Sequence, residues 1–185
     1  MARHRHDPSK DLVGFLVGEV MYAVRIDVVR EIVNPLAVVD LPRAPKSVKG
    51  VADYRGEVVP VIDLRERFGL PQVARSRKTK WIVLDVGGTQ AKAKQTEPGA
   101  RYAALVVDSV TEVFGLAGGE LRPAPPLGAG DDMRGIEGVT TLGSRLVFVL
   151  DAGAFSAVTH AALDGAEATD AEAADAQAPS WPELP

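Results

Sequence analysis

The sequence contains no cysteine, which excludes disulfides, thiolate metal sites and cysteine nucleophiles. Its three histidines are His4, His6 and His160, and none has a carboxylate or hydroxyl at a spacing typical of acid–base or nucleophilic catalysis. No apolar run approaches the ~20 residues of a membrane span, and none follows the basic N-terminus as in a signal peptide. The sequence therefore predicts a cytoplasmic protein that is not an enzyme, has no metal or cofactor and does not insert into a membrane.

Charge of one sign is missing from the C-terminal segment. Residues 164–185 contain six acids and no bases, whereas the rest of the chain is close to neutral. A near-neutral body lacks the basic surface that nucleic acid requires, so we expect no nucleic-acid partner. The acidic segment 164–185 and the N-terminal segment 1–11 are predicted to be disordered tails. A partner-binding motif around Trp181 is the alternative interpretation of the acidic tail.

Between the tails, short apolar or alternating runs separated by turn residues predict an all-β protein. The polar, Gly-bounded segment 87–101 is expected to be a long hairpin loop. Two short helices are predicted, Leu64–Phe68 and Ala152–Leu163. The predicted strands are Leu12–Val17, Val20–Ile26, Val28–Val33, Val48–Tyr54, Glu57–Ile62, Trp81–Val86, Tyr102–Val107, Val110–Phe114, Gly138–Leu142 and Arg145–Leu150.

The chain contains an internal repeat. Gly50-Val51 aligns with Gly138-Val139, and Asp27–Ile32 aligns with Asp108–Val113 through a shared Asp-x-Val-x-Glu-[Ile/Val] pattern. Such an ordered series predicts two small β-barrels that share an apolar seam, since each is too small to bury much surface alone. The first is expected to span about 19–80. The second is expected to comprise about 81–150 and the N-terminal strand 12–18, followed by a helix at about 152–163.

The two copies differ in the turn of their hairpin. Copy one has Tyr54-Arg55-Gly56 where copy two has Leu142-Gly143-Ser144, so a large cation replaces the usual Asn or Asp before glycine. Glu31 is in a position to pair with Arg55 and to fix the orientation of its guanidinium for a partner. The alternative is a solvated turn residue with no function.

The aspartates shared by the copies, Asp63 and Asp151, each end a strand and precede a short helix. This position predicts an N-cap, and Asp63 has capping-box spacing to Glu66. A catalytic or metal-binding carboxylate is the rival interpretation, although beyond the capping-box Glu66 no histidine or further carboxylate lies at a telling spacing.

The motifs together resemble one known family. Gly50-Val51, Tyr54-Arg55-Gly56 and Val58–Leu64 resemble the "KGV-x-N-L-R-G-x-V-V-P-V-I-D-L" signature of CheW-like domains. The segments Tyr22–Ile26 and Val107–Val113 resemble further motifs of that family. The similarity extends from about Leu12 to Leu163.

The resemblance implies a pair of SH3-like five-stranded β-barrels sharing a hydrophobic seam, with short helices. It implies a non-enzymatic adaptor that couples chemoreceptors to the histidine kinase CheA in a bacterial chemosensory array. The implied partners are the adaptor-like domain of the kinase, docked on the first barrel, the signalling tip of a methyl-accepting receptor, and other CheW-like domains. By position in the motifs, the receptor side comprises Arg55, Glu31, Gly50, Val29 and Val51.

The sequence departs from the family pattern at three places. Asp53-Tyr54 replaces the usual Asn-Leu, the loop 87–101 is longer, and the acidic tail is additional. The alternative function is a small β-barrel that binds a ligand or nucleic acid, with the basic loop as its gate. That alternative predicts salt-sensitive binding to nucleic acid.

Overall fold

The computed structural model describes residues 10–87, 101–116, 121–123 and 135–163. The two predicted tails, apart from residues 10 and 11, and most of the predicted loop 87–101 lie outside these residues. The described residues form ten strands and two α-helices, at nearly the positions that the sequence predicts. They are β1 (Asp11–Val17), β2 (Val20–Arg25), β3 (Val29–Val33), β4 (Val48–Tyr54), β5 (Glu57–Asp63), α1 (Leu64–Arg67), β6 (Lys80–Asp85), β7 (Tyr102–Val107), β8 (Ser109–Gly115), β9 (Ile136–Leu142), β10 (Arg145–Leu150) and α2 (153–163).

The strands form two five-stranded sheets of the same design. The first sheet has the order β3-β6-β7-β5-β4, and the second has the order β8-β1-β2-β10-β9. In each sheet the strand pairing is antiparallel except at one position, where β5 pairs with β7 and β10 pairs with β2 in parallel. This architecture confirms the predicted all-β fold of two SH3-like barrels.

The division of the chain between the barrels differs from the expected boundary near residue 80. Strand β2 lies in the second sheet, not the first, and β6 and β7 lie in the first sheet, not the second. The reason is that the first two strands of each repeat leave their own hairpin and pair with the hairpin of the other repeat. The repeat units β1–β5 and β6–β10 are therefore interleaved, and neither repeat completes a barrel alone.

Three apolar clusters of described residues fill the interior. One lies inside the first barrel around Trp81, and one lies inside the second around Leu12. The third and largest draws on both sheets and on α2, and it is the predicted seam. Successive residues of the central strands alternate between clusters, as when Trp81 and Val83 enter the barrel interior while Ile82 and Leu84 enter the seam. Burial on both faces explains why these strands are continuously apolar in the sequence.

The predicted cap of α1 is present. The Asp63 carboxylate accepts hydrogen bonds from the backbone N–H of Arg65 at 2.8 Å and of Glu66 at 3.2 Å. The backbone N–H of Asp63 donates to Ser47 instead of to Glu66, so only half of a capping box forms. The repeat equivalent, Asp151, accepts from the N–H of Gly153 at 2.9 Å. Both carboxylates are therefore occupied in structural roles at the ends of their hairpins.

Candidate partner-binding site

The turn between β4 and β5 holds Arg55 in an unusual backbone conformation. Arg55 has φ 57° and Gly56 has φ 84°, as in the tight hairpin turns that favour Asn-Gly or Gly-Gly. The Asp53 carboxylate closes the turn by accepting from the Gly56 N–H at 2.8 Å. In the other hairpin the residue with positive φ is Gly143, with φ 59°. The first hairpin therefore has a large cation at a backbone position that favours glycine.

Arg55 pairs with Glu31, a contact that the sequence suggests but leaves open. Its Nη2 lies 2.7 Å from Glu31 Oε2, and the Tyr54 hydroxyl donates to the same oxygen. The Arg55 guanidinium also lies 5.6 Å from the centre of the Tyr54 ring, within the range of a cation–π contact. The Arg55 side chain remains 66% exposed, against 35% for Glu31. The pair thus fixes the cation at its base and leaves it open to a partner.

These contacts join the two outer strands of the first sheet. Glu31 is on β3 and Tyr54 is on β4, and these strands stand at opposite ends of the strand order. Side-chain contacts between the two outer strands close the barrel at this end without a backbone ladder. The orientation of Arg55 is therefore coupled to the closure of the barrel.

The hydrogen bond from Tyr54 is the main reason that the pKa of Glu31 lies below its ordinary value. Desolvation, the next largest effect, raises this pKa, and the charge of Arg55 lowers it further. Desolvation and the bond to Glu31 raise the pKa of Tyr54. Both shifts keep Glu31 ionised and Tyr54 protonated near neutral pH, so the donor–acceptor arrangement around Arg55 persists.

Replacing Tyr54 with phenylalanine tests this arrangement. The change removes the hydroxyl and keeps the ring, so we expect the pKa of Glu31 to rise towards its ordinary value. The measurement is an NMR titration of the Glu31 side-chain carboxyl resonance. Tyr102→Phe removes a hydroxyl from the neighbouring ring and is the control; an equal rise in both variants would contradict the assignment.

Gly50 is buried and does not present a side-chain surface. It has φ 136°, and a Cβ at this position would lie 2.1 Å from the carbonyl oxygen of Val39. Val39 and Val51 exchange two backbone hydrogen bonds of 2.8 Å, which hold the Pro-flanked loop against β4. The geometry gives Gly50 the role of admitting this loop, and direct contact with a receptor stays a prediction for it.

The other two apolar residues of the predicted receptor side are half-buried. Val29 begins β3 and packs against the seam cluster, and Val51 lies in the middle of β4 beside the exposed Val39. The structure thus brings Glu31 and Arg55 into contact and joins Gly50 and Val51 to the loop carrying Val39.

Sequence reasoning missed two contributors to the site, and both fall where the chain departs from the family signature. Asp53 closes the turn, and Tyr54 holds Glu31. The sequence signal that could have identified Tyr54 is its place directly before Arg55, at a position where the alternation of β4 directs the side chain inward. Arg101, the last residue of the predicted loop 87–101, forms an ion pair with Asp85.

Within the described residues, no three histidine or acidic side chains group in a way that suits a metal ion. No helix of the described part is long and apolar enough to cross a membrane. Two interleaved SH3-like barrels with an oriented surface cation define a small all-β protein suited to binding.

The comparisons with known proteins agree with this class. The CheW-like domain family matches residues 11–158. The chemotaxis protein CheW of Klebsiella aerogenes is 31% identical over 143 residues, which cover 77% of this chain and 79% of that protein. Protein FrzA of Myxococcus xanthus is 30% identical over 121 residues, which cover 65% of this chain and 68% of that protein. The chain therefore belongs to the CheW-like family and has an adaptor role in chemosensory signalling.

A solved structure supports the same assignment. The scaffolding protein TtCheW from Thermoanaerobacter tengcongensis superposes with a TM-score of 0.65 at 26% identity, over 82% of this chain and 90% of that one. The two proteins thus share the same overall fold.

Proposed function

We propose that this protein is a non-enzymatic adaptor that couples the signalling tip of a chemoreceptor to a CheA-type histidine kinase. It acts in the cytoplasm and is recruited to receptor arrays. Receptor binding uses the first barrel near the β4–β5 turn, and the kinase is bound through its adaptor-like domain. Family membership supports the adaptor role, and the geometry of the turn supports the location of the receptor side.

The observation that carries the receptor assignment is the conformation of Arg55. A non-glycine residue with φ 57° is strained, and an exposed ion pair contributes little to stability. Glycine or asparagine would fit the turn better, so stability does not explain an arginine there. Recognition does, because the guanidinium is oriented by Glu31 and Tyr54 and offers its remaining donors to a partner.

The polar contact is flanked by apolar surface. Ile32 of β3 and Val58 of β5 are exposed large apolar residues, and Val39 is exposed above β4. Buried apolar contact around a fixed arginine is the usual composition of a protein interface core. The predicted contacts Val29 and Val51 lie on the two outer strands of the same sheet.

The test is a titration of the purified protein against a receptor signalling-tip fragment and, separately, against the adaptor-like domain of the kinase from the same cell. We expect Arg55→Glu to weaken binding of the tip by about tenfold or more, because a fixed cation becomes an anion, and to leave the kinase affinity within about twofold. Isothermal calorimetry or fluorescence anisotropy gives both affinities.

Arg145→Glu is the matched control, since it reverses the same charge on an exposed residue beside the turn of the second hairpin. It should leave tip binding unchanged. If the wild-type protein binds neither partner, or if both reversals weaken the tip equally, the proposed receptor side is wrong.

A further inference from the structure

A second arginine at the same end of the first barrel is held in the same way as Arg55. Arg101 donates from Nε and Nη2 to Asp85 Oδ2, at 3.0 and 2.9 Å. Its guanidinium lies 5.2 Å from the centre of the Tyr102 ring. The side chain is 66% exposed, the same as Arg55, whereas its carboxylate partner is only 22% exposed.

The two arginines are connected through a buried aromatic pair. Tyr54 and Tyr102 are each 6% exposed, and their rings meet edge to face at 6.4 Å. Arg55 covers the first ring and Arg101 covers the second. Both rings are packed in the interior of the first barrel, and each supports one guanidinium, so the packing of the rings sets the relative position of the two cations.

Arg55 and Arg101 present hydrogen-bond donors at this end, beside the exposed acids Asp53 and Glu57. Each guanidinium rests on an aromatic face and is tied by one carboxylate, and its hydrogen bonds to the described residues leave further N–H groups as donors. Such a fixed guanidinium loses little conformational entropy when it binds a carboxylate of a partner. Two of them in a rigid arrangement suit a protein surface that presents two acidic side chains.

We propose that Arg101 is a second receptor-docking arginine that acts with Arg55 to bind acidic side chains of the receptor tip, a role that rests on the proposed function. Tyr54 positions Arg55 and Tyr102 positions Arg101, so the two rings set the spacing of the two guanidinium groups. Arg101 thereby determines which tips are bound, since a tip with only one suitably placed carboxylate satisfies only one of the two arginines.

The rival explanation is that the Arg101–Asp85 pair only ties the start of β7 to the end of β6. A pair of variants separates the two explanations, because Arg101→Gln and Asp85→Asn break the same ion pair but leave opposite charges. A structural tie would make both variants weaken binding equally. A docking role makes only Arg101→Gln harmful, since Asp85→Asn keeps the cation.

The experiment is a titration of the full-length variants against the receptor signalling-tip fragment. We expect Arg101→Gln to weaken binding by about five- to tenfold and Asp85→Asn to bind within about twofold of wild type or more tightly. Arg25→Gln, which removes an arginine paired with Glu137 on the second sheet, is the control and should bind like wild type. Thermal melts establish that all three variants are folded.

The outcomes distinguish this inference from the function on which it rests. If the wild-type protein does not bind the tip at all, the proposed function fails and the docking role of Arg101 falls with it. If wild type binds and Arg55→Glu weakens binding, but Arg101→Gln does not, the proposed function holds and the inference is wrong. Equal losses in Arg101→Gln and Asp85→Asn also overturn it, in favour of a structural tie.

Discussion

Gly50→Ala is expected to lower the free energy of unfolding by about 3–5 kcal/mol, enough to unfold many domains of this size. The added Cβ would lie 2.1 Å from the backbone oxygen of Val39, and a backbone atom held by two hydrogen bonds cannot rotate away as a side chain can. The φ of 136° adds conformational strain to the clash. Urea denaturation followed by circular dichroism measures the loss.

Gly143→Ala is the matched control. Gly143 also has positive φ, 59°, but nothing lies within 4 Å of its ideal Cβ position. It should therefore show only the conformational cost, about 1–2 kcal/mol. Equal losses in the two variants would show that the contact with Val39 is unimportant. A stable Gly50→Ala variant that fails to bind a receptor tip would instead support a direct contact role for Gly50.

The same close backbone approach recurs in the second repeat, which explains why the glycine is shared by both copies. A Cβ on Gly138 would lie 2.6 Å from the carbonyl oxygen of Arg122, and the Arg122–Val139 bridge repeats the Val39–Val51 bridge. The sequence alignment of Gly50 with Gly138 thus detected a scaffold requirement. It could not show the requirement itself, because no local pattern shows that a loop lies over each glycine.

Most strands were predictable because each has a local signature, and the interleaving of the repeats was not. Alternating or continuous apolar runs bounded by Gly and Pro fixed the strand positions. Whether β7 pairs with the hairpin of its own repeat or with β5 depends on parallel contacts such as Val61 with Ala104, which are far apart in the chain. No local pattern encodes that choice.

The site was predictable in part, for a similar reason. Arg55 stood out because a cation precedes glycine where Asn or Asp is usual and because the repeat copies differ there, and Glu31 matched the family pattern. Tyr54 and Tyr102 have apolar rings at inward strand positions, so the sequence favours a core role for both. Only the three-dimensional arrangement shows that one hydroxyl reaches Glu31 and that both rings carry an arginine.

The second large effect is expected at an ion pair that ties the two barrels together. Arg65, at the start of α1, donates from Nε and Nη2 to the two carboxylate oxygens of Asp108, both at 2.8 Å. Asp108 lies between β7 of the first sheet and β8 of the second, and it also accepts from the Gly18 N–H in the β1–β2 turn at 2.7 Å. The carboxylate therefore joins three segments from both sheets.

Asp108→Ala is expected to lower the free energy of unfolding by about 1.5–3 kcal/mol, because it leaves the Arg65 cation and the Gly18 N–H without their partner. This is less than the value for a fully buried pair, since the two side chains are 17% and 27% exposed. Urea denaturation gives the difference. Asp85→Asn breaks a similar two-donor pair on the surface and should have a much smaller effect.

The same carboxylate should make stability depend on pH. Burial alone would raise the pKa of Asp108, but the hydrogen bonds from Arg65 and Gly18 outweigh it, so the pKa lies below its ordinary value. A carboxyl whose pKa is lower in the folded state stabilises the fold above its unfolded pKa and loses that contribution as the pH falls through the folded value. Asp108→Asn should therefore be less stable than wild type at neutral pH, with the difference shrinking below about pH 4. A difference that stays constant down to pH 2 would show that the charge of Asp108 does not join the barrels.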